Sequence, residues 1–380
     1  MTDTFELTCD LLSRASVTPC DAGCQKRIAD FLEDAGFAAR TIARGETVNL
    51  WVQKGSKAPL FLFAGHTDVV PEGNPADWDS PAFEPTVRNG RLYARGAADM
   101  KTSDAAFASA ARRFVKDYPN HRGSIAMLLT SDEEGDGYDG TVYAVEVLKN
   151  EGIAPEWCIV GEPSCSEVLG DTIKNGRRGS LNGKLTVRGI QGHVAYPEKV
   201  LNPIHAASSI AAELASKTWG TAHPGFPMSS FQISNMNAGT GAVNVVPAAC
   251  TLLFNIRYNP SVTAESLIDE IEAICRKHSE KSSASFEIEW KKSAFPFATS
   301  GEALSKALSS ACETVCGIRP EFSTGGGTSD ARFISRWCAD VVEFGPTNES
   351  IHKVNESIPV EQVDQLAEIY YQTLVHLLAE

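Results

Sequence analysis

The sequence contains no apolar run approaching the roughly 18 residues that a membrane-spanning helix needs. Positively charged residues are also fewer than negatively charged ones. The sequence has 34 Lys and Arg and 48 Asp and Glu, which gives a net charge of −14 at pH 7. Such an excess of negative charge disfavours nucleic acid and anionic membranes as partners. Residues 1–6 have neither the basic segment nor the apolar core of a secretory signal peptide, so we expect a cytoplasmic protein.

Several site signatures are also missing. The Gly-rich stretch 325–328 has no Lys at the spacing of a phosphate-binding P-loop, and no GxGxxG follows the first predicted strand, which argues against a dinucleotide-dependent enzyme. Ten cysteines are present, and the pairs Cys20/Cys24 and Cys312/Cys316 have helical spacing. Neither pair has further Cys or His residues nearby, so we interpret them as reduced packing thiols rather than zinc ligands.

The first part of the chain alternates between helical and strand-like patterns, which is typical of an α/β fold. The predicted helices are 4–13, 25–36, 103–118 and 140–150, and the predicted strands are 49–53, 60–64, 125–130 and 158–160. We therefore expect a central sheet, mostly parallel or mixed, that is flanked by helices.

The pattern changes near residue 179. Polar and apolar residues alternate over 180–188 and 231–233, strand 250–258 follows, and helices are predicted at 203–217 and 264–279. A chain of 380 residues suits two domains better than one. We interpret 179–292 as a compact α+β domain inserted into a discontinuous α/β domain, which consists of 1–178 and 293–380.

Acidic and imidazole residues occur in five groups, mostly at the ends of predicted elements. They are His66 with Asp68 after strand 60–64, Asp99 before helix 103–118, Glu133 with Glu134 after strand 125–130, Glu162 after strand 158–160, and His352 near the C-terminus. Any one group alone is more simply explained as a solvated acid or a surface histidine. Together they could converge on one sheet edge, where open α/β sheets bind ligands. Carboxylate and imidazole ligands without thiolate indicate a catalytic divalent-metal site rather than a structural zinc site.

The motifs around these groups resemble a known family. They are GHTDVVP at 65–71, RGAADMK at 95–101, SDEEGD at 131–136, GEPS at 161–164, GGTSDARF at 326–333 and SIHKVNE at 350–356. Together they resemble the dinuclear zinc amidohydrolases of the M20 type, over nearly the whole chain. The resemblance implies that the inserted domain is a lid and a dimerisation surface, and that the protein is a homodimer.

The resemblance also implies a site for two divalent metal ions, with Zn²⁺ expected and Co²⁺ as a substitute. The expected ligands are Asp99 between both ions, His66 and Glu162 on one ion, and Glu134 and His352 on the other. Asp68 would orient His66. The ions would activate a bridging water, and Glu133 would be the general base that takes its proton and passes it to the leaving amine.

One further catalytic residue is expected in the inserted domain. A single histidine such as His193 is more often structural than catalytic. The family resemblance implies the opposite, because this histidine would reach across the dimer interface into the active site of the other subunit.

The stretches 173–180 and 343–348 resemble the family members that hydrolyse N-succinyl-L,L-2,6-diaminopimelate in lysine and diaminopimelate biosynthesis. This substrate carries three carboxylates, and Arg binds carboxylates through paired hydrogen bonds. The expected substrate-binding residues are Arg177, Arg178, Ser180, Tyr196, Asn244, Arg257, Gly327 and Thr328. Arg178 is the weakest of these, because two adjacent side chains rarely face one pocket.

Two other functions fit part of this pattern. A related amidohydrolase, such as an acetylornithine deacetylase or a dinuclear aminopeptidase, would share every metal ligand, although stretch 174–180 argues against it. A catalytically silent metal-binding homologue would also keep the ligands, but it would have no need of Glu133.

Overall fold

The structure is a computed structural model that describes residues 2–135, 137–239, 241–299 and 301–379. Asp136, within the SDEEGD motif, lies outside the described residues. The chain divides into two compact units, the first formed by Met1–Gly176, Ala298–Ser323 and Ser329–Glu380, and the second by Arg177–Phe297 and Thr324–Thr328. The segment Thr324–Thr328 is thus grouped with the second unit, whereas the sequence pattern had placed it in the discontinuous domain.

The helices of the described chain cover most of the predicted helical stretches and add three near the C-terminus. They are α1 Asp3–Leu12, α2 Cys24–Glu33, α3 Lys101–Asp117, α4 Thr141–Asn150, α5 Pro203–Ser216, α6 Ala264–Ser282, α7 Ala303–Cys316, α8 Ala331–Ile334 and α9 Val360–Leu378. None of them is long and apolar enough to cross a membrane.

The strands include every predicted one, together with others that the sequence pattern did not indicate, of which β1 and β15 are long and most are short. They are β1 Ala38–Arg44, β2 Thr47–Lys54, β3 Leu60–His66, β4 Thr86–Arg88, β5 Arg91–Tyr93, β6 Ser124–Thr130, β7 Trp157–Val160, β8 Thr172–Lys174, β9 Gly176–Arg177, β10 Gly179–Arg188, β11 Gly192–His193, β12 Ser230–Ala238, β13 Val245–Val246, β14 Ala249–Tyr258, β15 Ser285–Ala294, β16 Phe297–Ala298, β17 Glu321–Ser323, β18 Asp340–Glu343 and β19 Ser357–Pro359.

A mixed sheet forms the centre of the first unit, in the order β1-β2-β6-β3-β7-β18-β8-β17. Strands β6, β3, β7 and β18 run parallel to one another, whereas β1, β2 and β8 pair antiparallel to their neighbours β2, β6 and β18. The predicted α/β class with a central mixed sheet is confirmed. The parallel strands are buried throughout, as expected for strands covered on both faces.

Alternate residues of the central strands build the main core of this unit. Phe61 and Phe63 on β3 both stack on Phe107 of α3, with ring centroids 5.8 and 4.5 Å apart. Tyr370 of α9 meets Phe63 edge-on at 5.6 Å. Because side chains alternate across a strand, this packing fixes the register of β3 and therefore the direction of the residues that follow it.

The second unit contains an antiparallel sheet in the order β12-β14-β10-β15. Helices α5 and α6 pack on this sheet around a core that includes Leu185, Ile210 and Phe254. The predicted insert 179–292 lies within this unit. Burial alternates along β14, so every second side chain of this strand points into the core beneath the helices.

Candidate metal centre

Three adjacent parallel strands bring the predicted metal ligands to one edge of the main sheet. His66 on β3 pairs with Thr130 on β6, and Ala64 pairs with Val160 on β7. The strands therefore end level with one another, and the residues that follow β6 and β7 emerge beside His66. Ligands of open α/β sheets bind at this carboxyl edge.

The backbone at this edge is crowded, which explains a glycine beside one ligand. A Cβ atom on Gly161 would collide with the side chains of Phe63, Met100 and Ser103. Only glycine therefore allows the chain to leave β7 at this point and to place Glu162 at the edge of the sheet.

Asp99 lies between two histidines. Its Oδ1 is 3.1 Å from Nε2 of His66, and its Oδ2 is 3.3 Å from Nε2 of His352. Nε2 of His352 is also 3.0 Å from Oε1 of Glu134. Each oxygen of one carboxylate thus faces a different imidazole, which is the arrangement that a ligand shared by two ions requires.

The donor atoms form two overlapping clusters of metal-binding type. One comprises His66, Glu133 and Glu162, the other His66, Asp99 and Glu134, and within each cluster the donor atoms lie within 4.8 Å of one another. No cysteine belongs to either cluster. All ten cysteines are free thiols in the described chain. Imidazole and carboxylate donors at this spacing fit divalent ions such as zinc.

The pKa values of these groups reflect unbalanced negative charge. Hydrogen bonds to Asp99 and Glu134 raise the pKa of His352 to about 10. Burial disfavours a charged His66, yet contact with Asp99 raises its pKa well above the usual value. Burial and the nearby Asp99 and Glu133 carboxylates raise the pKa of Glu162 well above its usual range. A site with this balance favours cations.

Asp68 contacts His66 mainly through its main-chain oxygen, whereas its carboxylate was expected from the sequence to orient this histidine. Nδ1 of His66 lies 2.9 Å from the main-chain oxygen of Asp68 and 3.8 Å from its carboxylate. The two carboxylate oxygens instead accept hydrogen bonds from the amides of Glu133 and Glu134, at 3.3 and 3.1 Å. Asp68 thus holds His66 through its backbone and the acidic turn through its side chain. Its catalytic role stays a prediction.

Glu133 lies among the candidate metal-binding side chains, and its role as general base stays a prediction. Its carboxylate belongs to the cluster with His66 and Glu162. Burial, followed by the charge of Asp330, raises the pKa of Glu133 well above the normal glutamate value. Asp330 is itself buried, and its Oδ1 has no hydrogen-bond partner in the described structure. Asp330 was not singled out from the sequence, although it lies within the GGTSDARF motif.

The predicted substrate-binding residues all belong to the second unit, where the structure gathers them into two groups. In the first group, Ser180 on β10 pairs with Arg257 on β14. Burial lowers the pKa of Arg257, and the positive charge of Arg178 lowers it further. Nη1 of Arg177 donates to the carbonyl of Gly325 at 2.7 Å, in the loop that also contains Gly327 and Thr328.

The second group surrounds the short ribbon of β11 and β13. His193 pairs with Val245, and the carbonyl of Asn244 accepts the amide of Val194 at 3.1 Å. The rings of His193 and Tyr196 lie 5.9 Å apart, and both residues are exposed. His193, Tyr196 and Asn244 are therefore neighbours on this unit, as a shared function requires.

Arg95 and Glu356 were overlooked in the sequence, although both lie inside the quoted motifs. Each is almost fully buried, and they form an ion pair of 2.7 Å beside Asp99. The sequence signal was limited to their place in motifs that carry metal ligands, whose partners often support them. That the two residues are buried and paired is visible only in the folded chain.

The sequence matches a family of known proteins over most of its length. The family described as "Peptidase family M20/M25/M40" matches residues 62–376. This chain belongs to that family. A Nitrosomonas europaea protein named succinyl-diaminopimelate desuccinylase is 52% identical over 375 residues, which covers 99% of each chain. A protein of the same name from Thiobacillus denitrificans is 51% identical and covers all of this chain and 95% of its own.

Solved structures of other M20-type proteins share the fold. Aminopeptidase PepT from Bacillus cereus aligns with a TM-score of 0.80 at 19% identity over 98% of both chains. Bacillus subtilis YXEP, described as a dinuclear metal-binding peptidase from the M20 family, aligns with a TM-score of 0.75 at 15% identity over 98% of this chain and 97% of its own. At these identities the likeness supports the fold alone.

Proposed function

We propose that this M20-family enzyme hydrolyses the amide bond of N-succinyl-L,L-2,6-diaminopimelate to succinate and L,L-2,6-diaminopimelate, in diaminopimelate and lysine biosynthesis. The observation that carries the proposal is the sequence identity of 52% and 51%, over nearly the whole chain, to relatives named succinyl-diaminopimelate desuccinylase. The cluster of His66, Asp99 and Glu134 supplies the chemistry that such a hydrolysis needs. A location in the cytoplasm stays a prediction from the sequence.

The site would hold two divalent ions, and zinc suits its donors best. Asp99 would be shared, because its two oxygens face different histidines. His66 with Glu162, and Glu134 with His352, would complete the two ligand sets. Bound ions would polarise the amide carbonyl and lower the pKa of a water molecule. Cobalt has similar ligand preferences and should substitute.

Glu133 would move the proton. A general base must be unprotonated when the water attacks, and it must then protonate the leaving amine. Burial and the charge of Asp330 raise the pKa of Glu133, whereas bound cations nearby would lower it. The Asp68 carboxylate would keep the turn that presents Glu133 in place.

The arginines of the second unit would bind substrate carboxylates. Within the described chain Arg178 and Arg257 have no acidic partner, and their mutual repulsion would be relieved by an anion. Arg177 donates to the carbonyl of Gly325 and is the third arginine of this set. Ser180, Tyr196, Asn244, Gly327 and Thr328 would supply neutral hydrogen bonds.

We also propose a homodimer formed through the second unit, with residues 179–292 as the lid and dimerisation domain. His193 is exposed on this unit, next to exposed Tyr196 and Val194. An exposed histidine beside apolar residues is suited to an interface between subunits. In the dimer His193 would donate to the oxyanion in the partner's active site.

The decisive experiment is a hydrolysis assay with chelator-treated protein. Succinyl-diaminopimelate should not be hydrolysed by the metal-free protein, and zinc or cobalt should restore turnover. Acetylornithine is the comparison substrate, because an acetylornithine deacetylase would share every ligand. Preference for acetylornithine would favour the related amidohydrolase. Absence of turnover on both substrates by the two-metal protein would favour a silent metal-binding homologue.

A further inference from the structure

Glu356 is fully buried and accepts four hydrogen bonds with one carboxylate. Its Oε2 accepts hydrogen bonds from Nη1 of Arg95 at 2.7 Å and from the amide of Gly96 at 3.0 Å. Its Oε1 accepts hydrogen bonds from the amides of Ala98 and Asp99, at 2.8 and 3.0 Å. The turn before α3 therefore wraps around this side chain, and the last amide in the set belongs to the candidate bridging ligand. A neutral side chain of the same shape could not accept all four donors.

The same contacts reach the segment that contains His352. Nη1 of Arg95 also donates to the carbonyl of Lys353 at 3.2 Å, and the amide of Ala94 donates to the carbonyl of Glu356 at 3.1 Å. His352 has φ of +59°, in the left-handed region that costs a residue with a side chain. A turn in this conformation needs outside contacts to persist, and Arg95 supplies one next to His352.

We propose that Arg95 and Glu356 are positioning residues that hold Asp99 and His352 in a fixed arrangement for the metal ions. This inference rests on the proposed two-metal function. Asp99 and His352 are 253 positions apart in the chain, yet their side chains meet at 3.3 Å. The buried pair joins the two segments next to this contact, since Glu356 binds the amide of Asp99 and Arg95 binds the carbonyl of Lys353. Outer contacts of this kind commonly change metal affinity about 10- to 100-fold when they are removed.

The alternative is that the pair serves only the stability of the fold. A buried ion pair is by itself weak evidence for net stabilisation, and removal of one partner is strongly destabilising whatever its function. Thermal stability alone therefore cannot separate the two roles. Metal affinity and the coordination geometry at the ions can separate them, because a purely structural pair would leave both unchanged once the protein is folded.

Glu356→Gln is the test variant, and Asp340→Asn is the matched control. Asp340 is also a buried carboxylate of the first unit that accepts a backbone amide, from Leu304 at 3.3 Å, and the hydroxyl of Thr299 at 3.1 Å. It begins β18, whereas the metal ligands lie at the ends of the parallel strands. Both variants should lower the melting temperature. Zinc and cobalt binding is measured by calorimetry, and the geometry by the visible absorption of the cobalt-loaded protein.

We expect Glu356→Gln to bind at least one ion about 10- to 100-fold more weakly and to change the cobalt spectrum, whereas Asp340→Asn matches wild type in both. Arg95→Lys keeps the charge but loses the paired donors, and it serves if Glu356→Gln does not fold; it should weaken the same ion. Wild-type affinities and spectra in a folded Glu356→Gln or Arg95→Lys protein would overturn the inference. Failure of the wild type to hydrolyse succinyl-diaminopimelate would instead count against the proposed function, because the binding measurements need no substrate.

Discussion

At the scale of single residues, the site is a set of carboxylates that lacks enough positive charge. Asp99 accepts contacts from His66 and His352 on opposite oxygens. Contacts with the acidic side chains favour the protonated forms of His66 and His352, and they raise the pKa of His352 to about 10. Two bound cations would replace those protons, since metal-binding histidines must be neutral. Metal loading should therefore release protons from this site.

Glu133→Gln separates the proposed base from the ligands. Gln has nearly the size of Glu but cannot accept the proton, so turnover should fall about 10²- to 10⁴-fold while two ions and substrate still bind. The measurements are kcat for succinyl-diaminopimelate and metal content by elemental analysis. Glu134→Gln is the matched comparison, because Glu134 itself contacts His352 and this variant should lose metal. Equal metal loss in the two variants would place Glu133 among the ligands.

At the scale of elements, strand ends made most of the site predictable. The apolar runs that became β3, β6 and β7 were recognised to within a few residues, and their parallel pairing aligned the residues that follow them. Helix α9, by contrast, was not predicted, although apolar residues recur along it at helical spacing. Strand β18 was not predicted either, because its only apolar residues, Val341 and Val342, lie between the acidic Asp340 and Glu343.

Other features depend on contacts that a sequence pattern does not contain. The main-chain oxygen of Asp68 faces His66, and no side-chain pattern reports where a carbonyl points. The Arg95–Glu356 pair joins residues 261 positions apart. Thr324–Thr328 is grouped with the second unit because of contacts such as that of Thr324 with the carbonyl of Gly225, at 2.7 Å. Long-range contacts of this kind follow only from the folded chain.

Strand β14 carries Arg257, one of the two arginines whose loss should weaken substrate binding. Arg257→Ala should raise KM and lower kcat/KM without changing metal content, since one lost charged hydrogen bond is worth about 1.5–3 kcal/mol. Arg177→Ala should act similarly. Arg188→Ala is the control, because Arg188 on β10 of the same unit is exposed and pairs with Glu287. Wild-type kinetics in both Arg257→Ala and Arg177→Ala would mean that other groups bind the carboxylates.

At the scale of the whole molecule, the metal-free protein should lose stability as the pH rises. The folded-state pKa of His352 is about 10, above the value of ~6.5 expected in the unfolded chain. The folded protein thus binds more protons between these values, so this contribution is complete below pH ~6.5 and is lost toward pH ~10. Raised pKa values of His66 and Glu162 act in the same direction.

Thermal unfolding of chelator-treated protein between pH 6 and 10 checks this prediction. The melting temperature should fall with pH more steeply than that of the zinc-loaded protein, in which ions replace the protons. His352→Asn removes one of the titrating groups and should flatten the metal-free profile. A metal-free melting temperature that rises with pH would contradict the assignment of the raised pKa values to this site.

The proposed homodimer predicts that two inactive variants restore activity when they are combined in one dimer. If His193 acts on the partner's site, His193→Ala and Glu133→Gln should each be nearly inactive as homodimers. In their heterodimer one site combines the intact Glu133 of one chain with the intact His193 of the other, while the second site lacks both. Mixing should therefore restore about half of wild-type activity per dimer, because one of two equivalent sites is complete.

Heterodimers must be isolated with two different affinity tags, so that recovery is measured on a defined species. His205→Ala paired with Glu133→Gln is a useful control, because His205 is an exposed histidine of the same unit that lies on α5. The His205→Ala homodimer should remain active, which shows that loss of an exposed histidine does not itself inactivate the enzyme. If purified His193→Ala and Glu133→Gln heterodimers stay inactive although both chains bind zinc, then His193 does not act across the interface. Its position on β11 would then serve its own chain.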